Sequence, residues 1–177
     1  MKYCMDCGAE LVMKRHEAEG TDVPYCPRCR DWRFPVFSTA VSMILTNAAR
    51  DRVLLIKQYG RPFYVLCAGY VNRGEDAEDA VVREVREELG MTVTEYRFNR
   101  SRYFPPSNTL MLNFTATVRE ETPRPNAEVD AWSWFSLPEA RNAIKPDSLA
   151  AAFLQGWLDG LRGNLTHENA LELYGIM

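Results

Sequence analysis

The 23 residues from Gly69 to Met91, GYVNRGEDAEDAVVREVREELGM, constrain this chain more tightly than any other part of it. Asp76 stands where a helix N-cap belongs, and Asp79 puts a second negative charge near the outward-pointing N–H groups of a first turn. From there Ala77, Val81, Val85 and Leu89 recur at every fourth residue, which predicts a helix over 76–89 with an apolar stripe turned to a core. Glu84, Glu87 and Glu88 stand three and four apart on a different face, so their carboxylates should converge. Like charges at that spacing cost an isolated helix a few tenths of a kcal/mol per pair, and a cation between them would remove the cost. Hard oxygen ligands select Mg2+ or Mn2+. A solvated acidic face is the competing reading, because Asp79, Arg83 and Glu87 also form a ladder of opposite charges. Against it stands the preceding segment: Gly69, Asn72, Arg73, Gly74 and Glu75 make a loop that folds back on the helix start, where another carboxylate and backbone carbonyls can join a metal site.

Four of the five cysteines fall in two pairs, Cys4-x2-Cys7 and Cys26-x2-Cys29, with 18 residues between the pairs. That spacing signals a zinc ribbon, in which two tight turns bring four thiolates onto one structural Zn2+. Two disulfides or unconnected thiols are the alternative, and disulfides are rare in a reducing cytoplasm. Lys14, Arg15, His16, Glu17 and Glu19, between the pairs, are expected at a solvated hairpin tip with His16 exposed. The fifth thiol, Cys67, lies in an apolar stretch and is expected as a buried strand residue.

At 177 residues the chain has room for one ordinary domain and a small appendage. The expected division is a ribbon over 1–34 and a main domain over 35–177 that ends in helices. Val36 to Thr46 and Arg52 to Tyr59, around the turn-prone Asn47 to Asp51, read as a β-hairpin. Further strands are expected at Glu95 to Tyr103, Leu110 to Glu120 and Ala131 to Phe135, and further helices at Leu137 to Ala143, Ser148 to Leu161 and Glu168 to Tyr174. Helices on both faces of a mixed sheet follow from this order. A net charge of −3 leaves no global footprint for nonspecific nucleic-acid binding. No apolar run spans a bilayer and the polar start lacks a signal-peptide core, so a cytoplasmic chain without membrane contact is expected.

Every fixed position of the pattern G-x5-E-x7-R-E-U-x-E-E-x-G-U, with U aliphatic, is filled from Gly69 through Glu75, Arg83, Glu84, Glu87, Glu88 and Gly90 to Met91. The stretch resembles the signature of the Nudix hydrolases. The resemblance implies an α/β/α sandwich with a mixed sheet from Pro35 to about Gly160, in which Gly69, Glu75 and Gly90 are structural. It further implies that Glu84 and Glu88 bind catalytic Mg2+ or Mn2+, that Glu87 shares a metal or activates water, and that Arg83 holds Glu75 or Glu87 through a planar, bidentate contact. Glu128 would reach the metal from the loop before the last strand. Ala68 would offer it a backbone carbonyl, and Ala150 would offer backbone to a nucleotide.

Downstream, Ser101 to Met111 resembles the aromatic-proline array of NADH pyrophosphatases, which also carry a four-cysteine ribbon ahead of the Nudix domain. Ser101 and Pro105 match in place and Phe104 stands for the aromatic, whereas Arg102 replaces a glutamine and the central proline register is altered. Tyr103 and Phe104 offer ring faces to a base and Arg102 a fork to a phosphate, with Ser107 beside them. A strand end with core aromatics accounts for the same spacing equally well. The resemblance implies a nucleotide substrate, NADH or NAD first, with ADP-ribose, another dinucleotide or nucleotide-capped RNA next, and a homodimer. Members of that group carry a further domain ahead of the ribbon, which here starts at Cys4, so dimerisation or substrate choice is expected to differ. The rival class is a nucleotide-sensing or nucleic-acid-binding module, which has little use for three intact metal-binding carboxylates.

Overall fold

The computed structural model describes residues 1–160; the helix expected at Glu168 to Tyr174 lies outside them. Chain contacts divide the protein into two compact units, Met1–Phe37 and Ser38–Met177.

The first unit is a three-stranded antiparallel sheet of β1 (Val12–His16), β2 (Thr21–Cys26) and β3 (Asp31–Trp32), in that order. Its two cysteine-bearing turns bring Cys4, Cys7, Cys26 and Cys29 together, with all four sulfurs within 4.8 Å of one another. Lys14, Arg15, Glu17 and Glu19 are exposed, as expected of a solvated tip, but His16 is half-buried. His16 meets Trp32 edge-on at 4.5 Å between ring centroids, and the Lys14 ammonium sits 4.7 Å from the Tyr25 ring centre. Register explains the difference: β1 crosses β2 with Lys14 opposite Val23 and His16 opposite Thr21, which carries both side chains over the aromatic surface of the sheet.

The second unit is built on a six-stranded sheet of β4 (Ser38–Thr46), β5 (Arg52–Gln58), β6 (Cys67–Tyr70), β7 (Val93–Phe104), β8 (Thr109–Val118) and β9 (Val129–Ser136). The order is β7-β8-β4-β5-β9, with β6 also on β4. Among the described strands only β4 and β8 run parallel, from Ser38 opposite Thr109 to Thr46 opposite Thr117. The expected hairpin of β4 and β5 closes over just two residue pairs, Leu45 with Leu54 and Thr46 with Val53. Beyond them β6 takes the rest of the β4 edge, from Ala40 opposite Tyr70 to Met43 opposite Cys67, while β5 pairs with β9. The sheet is therefore split between β4 and β5, with β6 lodged in the split.

Alternation along the central strands sends side chains to two cores. Val41, Met43 and Leu45 of β4, with Leu54 and Ile56 of β5, meet α1 (Ala77–Leu89) on one face. Ile44, Val53 and Leu55 meet α2 (Leu137–Ala143) and α3 (Leu149–Gly160) on the other. Helices thus cover both faces of a mixed sheet, as the order of elements predicts. Val81, Val85 and Leu89 of α1 are fully buried. Each such side chain contributes roughly 1.5–3 kcal/mol, which outweighs the few tenths of repulsion between acids on the other face. Asp76 occupies the N-cap position but its side chain makes no capping bond; only its carbonyl accepts the Ala80 N–H, at 3.1 Å. No helix among the described residues is long and apolar enough to cross a membrane.

Candidate active site

Where β6 enters the split sheet it meets α1, and a cavity of about 420 Å3 opens there, lined by Glu84, Glu87, Glu88 and Glu128 with Tyr59, Tyr70, Asn72 and Ser107 among others. Gly69 makes the contact possible. A Cβ built on it would overlap the Glu84 carboxylate, so only glycine lets that side chain lie against the β6 backbone.

Arg83 organises the acidic face. Its Nε and one terminal nitrogen donate to the two oxygens of Glu75 at 2.6 and 2.9 Å, the planar bidentate contact expected of arginine. Its other terminal nitrogen donates to Glu84 at 2.6 Å and to Glu87 at 3.0 Å. Glu75 also accepts the Asn72 N–H at 2.9 Å, closing the loop before the helix. The Arg83 guanidinium, helped by that backbone donor, holds the Glu75 carboxyl down to about 2.

Glu128 is positioned by the far end of α1. Gly90 ends the helix with φ 61°, and the following loop donates into the last helical carbonyls, Arg124 N–H to Leu89 at 2.7 Å and Asn126 N–H to Glu88 at 2.9 Å. That docking delivers Glu128 to the Tyr59 hydroxyl, which donates to its Oε2 at 2.6 Å. Tyr59 lies in the left-handed region, φ 57°, and its hydroxyl is pushed up to about 12 chiefly by the Glu128 hydrogen bond. Glu88, only 4 % exposed, accepts Gln58 Nε2 at 3.0 Å and the Cys67 thiol at 3.3 Å, both on Oε2. Burial first, then the charges of Glu84 and Glu128, push its carboxyl up to about 7 against the opposing effect of those two donors. Burial likewise pushes the Cys67 thiol well up, so it stands as a donor.

A common pattern emerges across the four acids. Each has one oxygen held by a protein donor, Arg83 for Glu84 and Glu87, Gln58 and Cys67 for Glu88, Tyr59 for Glu128, and a second oxygen with no hydrogen-bond donor among the described residues. Four uncommitted carboxylate oxygens around one cavity are a donor set suited to hard divalent cations. They do not gather as tightly as the helical spacing suggests: among the described residues the four cysteines alone form a cluster of three or more such groups within 4.8 Å. Arg83 draws Glu84 and Glu87 one way, Glu87 being 57 % exposed in its side chain, while Gln58 and Cys67 draw Glu88 inward. A small cation that keeps several of its waters suits such a spread.

Ala68 and Ser107 line the same cavity. Arg102, Tyr103 and Phe104 are not among its lining residues; they lie on β7 opposite Met111, Leu110 and Thr109, and the Tyr103 hydroxyl donates to Asn108 at 2.8 Å. Ala150 packs against the core under α2 and α3. Tyr59, Gln58 and Cys67 carry no motif that marks them as neighbours of the acids, since the contacts arise only from the split sheet.

The cysteine cluster could hold a metal ion. Burial raises the Cys4 thiol, but backbone N–H groups of Asp6 and Cys7 and the Arg33 guanidinium prevail and bring it down to about 6. Hydrogen bonding to the Cys7 and Cys26 thiols pushes Cys29 up to about 12. A dication bound to all four sulfurs would hold them as thiolates. Arg33, 8 % exposed, donates to Cys4 Sγ at 3.3 Å and pairs with Asp6 and Asp31 at 2.6 and 2.5 Å. No spacing rule singles it out.

Residues 36–154 match the family model described as NUDIX domain. The chain is 34% identical over 139 residues to a protein of Pseudomonas aeruginosa named NAD-capped RNA hydrolase NudC, covering 77% of this chain and 48% of that one. It is 31% identical over 161 residues to the protein of the same name from Stutzerimonas stutzeri, covering 89% and 56%. The chain thus spans about half the length of these relatives. Among solved structures, a NUDIX hydrolase from Nitrosomonas europaea superposes with a TM-score of 0.66 at 23% identity, covering 92% of this chain and 93% of that one, which speaks to the fold.

Proposed function

The chain belongs to the Nudix family, and on that premise we propose that it hydrolyses the diphosphate of a nucleoside diphosphate joined to another moiety, with NADH or NAD as the foremost substrate. The observation that carries the reading is the cavity in which Glu84, Glu87, Glu88 and Glu128 each keep one oxygen free of donors among the described residues. The similarity to proteins named NAD-capped RNA hydrolases supports the choice of an NAD-type diphosphate, whether free or at the end of an RNA. ADP-ribose and other dinucleotides share the same linkage.

Glu84, Glu88 and Glu128, with the Ala68 carbonyl, would hold Mg2+ or Mn2+. Bound there, the metal supplies charge for the diphosphate oxygens and lowers the pKa of water. The protein's part is orientation and proton transfer. Arg83 fixes one oxygen of Glu87, leaving the other at the cavity mouth to take the proton from the attacking water. Gly69 lets Glu84 lie against β6, and Glu75 holds the guanidinium that orders the set. Tyr59, Tyr70 and Asn72 form the rim against which the organic part of the substrate rests. Arg102, Tyr103, Phe104, Ser107 and Ala150 remain the residues proposed to select it. In the first unit, Cys4, Cys7, Cys26 and Cys29 hold a structural Zn2+, and the protein works as a homodimer.

The test is a panel of NADH, NAD, ADP-ribose, NAD-capped RNA and nucleoside triphosphates with Mg2+ or Mn2+, followed by release of mononucleotides. Cleavage of the dinucleotides into two mononucleotides is expected. Triphosphate hydrolysis alone would refute the substrate class, and no cleavage of any compound would refute the activity.

A further inference from the structure

Glu88 differs from the other three acids in how it is held. Glu84 and Glu87 share a charged guanidinium and Glu128 leans on an exposed tyrosine, whereas Glu88 is buried and held by an amide and a thiol, both neutral. Both donors converge on Oε2, from different strands. Gln58 ends β5 just past a register shift between Lys57 and Gln58, which turns the end of the strand. Cys67 begins β6, opposite Met43 on the central strand, and is itself buried in the core under α1. Glu88 lines the cavity, and its other oxygen is not among the buried atoms that lack a partner, so it is open to the cavity.

We propose that Gln58 and Cys67 are positioning residues that clamp one oxygen of Glu88 so that its other oxygen is presented to the divalent cation. The inference rests on the metal-dependent reading above. A charged donor at this place would neutralise the carboxylate and compete with the cation. An unheld side chain would rotate between the cavity and the core. Two neutral donors on a single oxygen avoid both outcomes: they fix the rotation while leaving the negative charge for the metal. Partners behind a metal ligand typically change metal affinity by about 10–100-fold when removed.

The experiment measures Mn2+ binding directly, by the electron paramagnetic resonance signal of free Mn2+ titrated with the full chain, alongside thermal melting. Gln58→Leu and Cys67→Ala should each weaken the tightest site by roughly tenfold or more. Cys67→Ser, which restores a donor at the same place, should stay within about threefold of the parent protein. Glu88→Gln sets the limit of complete loss. Gln58 is only half-buried at the end of β5, whereas Cys67 is fully buried, so the Gln58 variant keeps the test open if Cys67→Ala does not fold. Mn2+ affinity unchanged in Gln58→Leu and in any folded Cys67→Ala, or Cys67→Ser as weak as Cys67→Ala, would overturn the clamp alone. A parent protein that binds no Mn2+ would overturn the metal-dependent reading itself.

Discussion

Arg83 is the single side chain on which most of the acidic face depends, because one guanidinium reaches Glu75, Glu84, Glu87 and the Tyr70 carbonyl. Lysine keeps the charge but cannot make the fork to Glu75. Arg83→Lys is therefore expected to lower kcat/KM by about 10–100-fold while circular dichroism stays unchanged, on the scale of losing a supporting contact. Gly69→Ala should be as severe, since the added methyl occupies the place of the Glu84 carboxylate; metal titration and activity should fall together. Glu75 gives a pH signature. Its folded value of about 2 lies below the ordinary carboxylate value of 4.5, so its contribution to stability is present above about pH 4.5 and is lost as pH falls towards 2. Glu75→Gln should lower the melting temperature at pH 7, and the gap to the parent protein should close across that acid range. A gap that stays constant down to pH 2 would contradict the ion pair. These roles were partly legible beforehand: the spacing of Arg83, Glu84, Glu87 and Glu88 announces an acidic helical face. It does not announce that Arg83 draws two of the carboxylates away from the third, because that depends on where the Glu75 loop returns.

At the scale of elements, α1 and the loop that docks on its C-terminal end act together. The loop 123–128 satisfies the last helical carbonyls and so sets the place of Glu128. Gly90 is the joint: a Cβ there would come within 3.0 Å of Arg124, on a backbone with φ 61°. Gly90→Ala is expected to cost roughly 1–2 kcal/mol for the left-handed conformation, read as a fall in melting temperature, with an accompanying loss of activity because Glu128 moves. The helix itself is plain in the sequence, 76–89 against the observed Ala77–Leu89, since its apolar stripe is regular. The strand β6 is harder to read. Cys67-Ala-Gly-Tyr70 is four residues long, without alternation, and its partner β4 is distant in the chain. Reading β4 and β5 as a full hairpin follows from their proximity and misses the insertion that separates them. Cys67 is the buried strand residue its apolar surroundings predict, but the contact of Gln58, Tyr59 and Cys67 with the acids has no sequence signal, as the split sheet alone brings them there.

At the scale of the whole chain, two units stabilise themselves by different means. Ser38–Gly160 has two apolar cores, one on each face of its sheet. Met1–Phe37 has Cys4, Val23 and Cys26 as its buried apolar residues, and the proposed Zn2+ on its four sulfurs would add to that small core. Fresh, reduced protein should carry about one zinc per chain by elemental analysis, and extracting it should abolish amide-exchange protection across β1 and β2; protein without zinc that keeps that protection would contradict the assignment. The cysteine spacing made this site readable, whereas the buried Arg33 beside Cys4 appears only in three dimensions. Diphosphate hydrolysis at the acidic cavity is tested by NADH turnover with saturating Mn2+ in the parent protein and in Glu87→Gln. Release of two mononucleotides by the parent, a loss of about 10²–10⁴-fold in the variant and equal melting temperatures are the predicted result; equal turnover by the two proteins would contradict it.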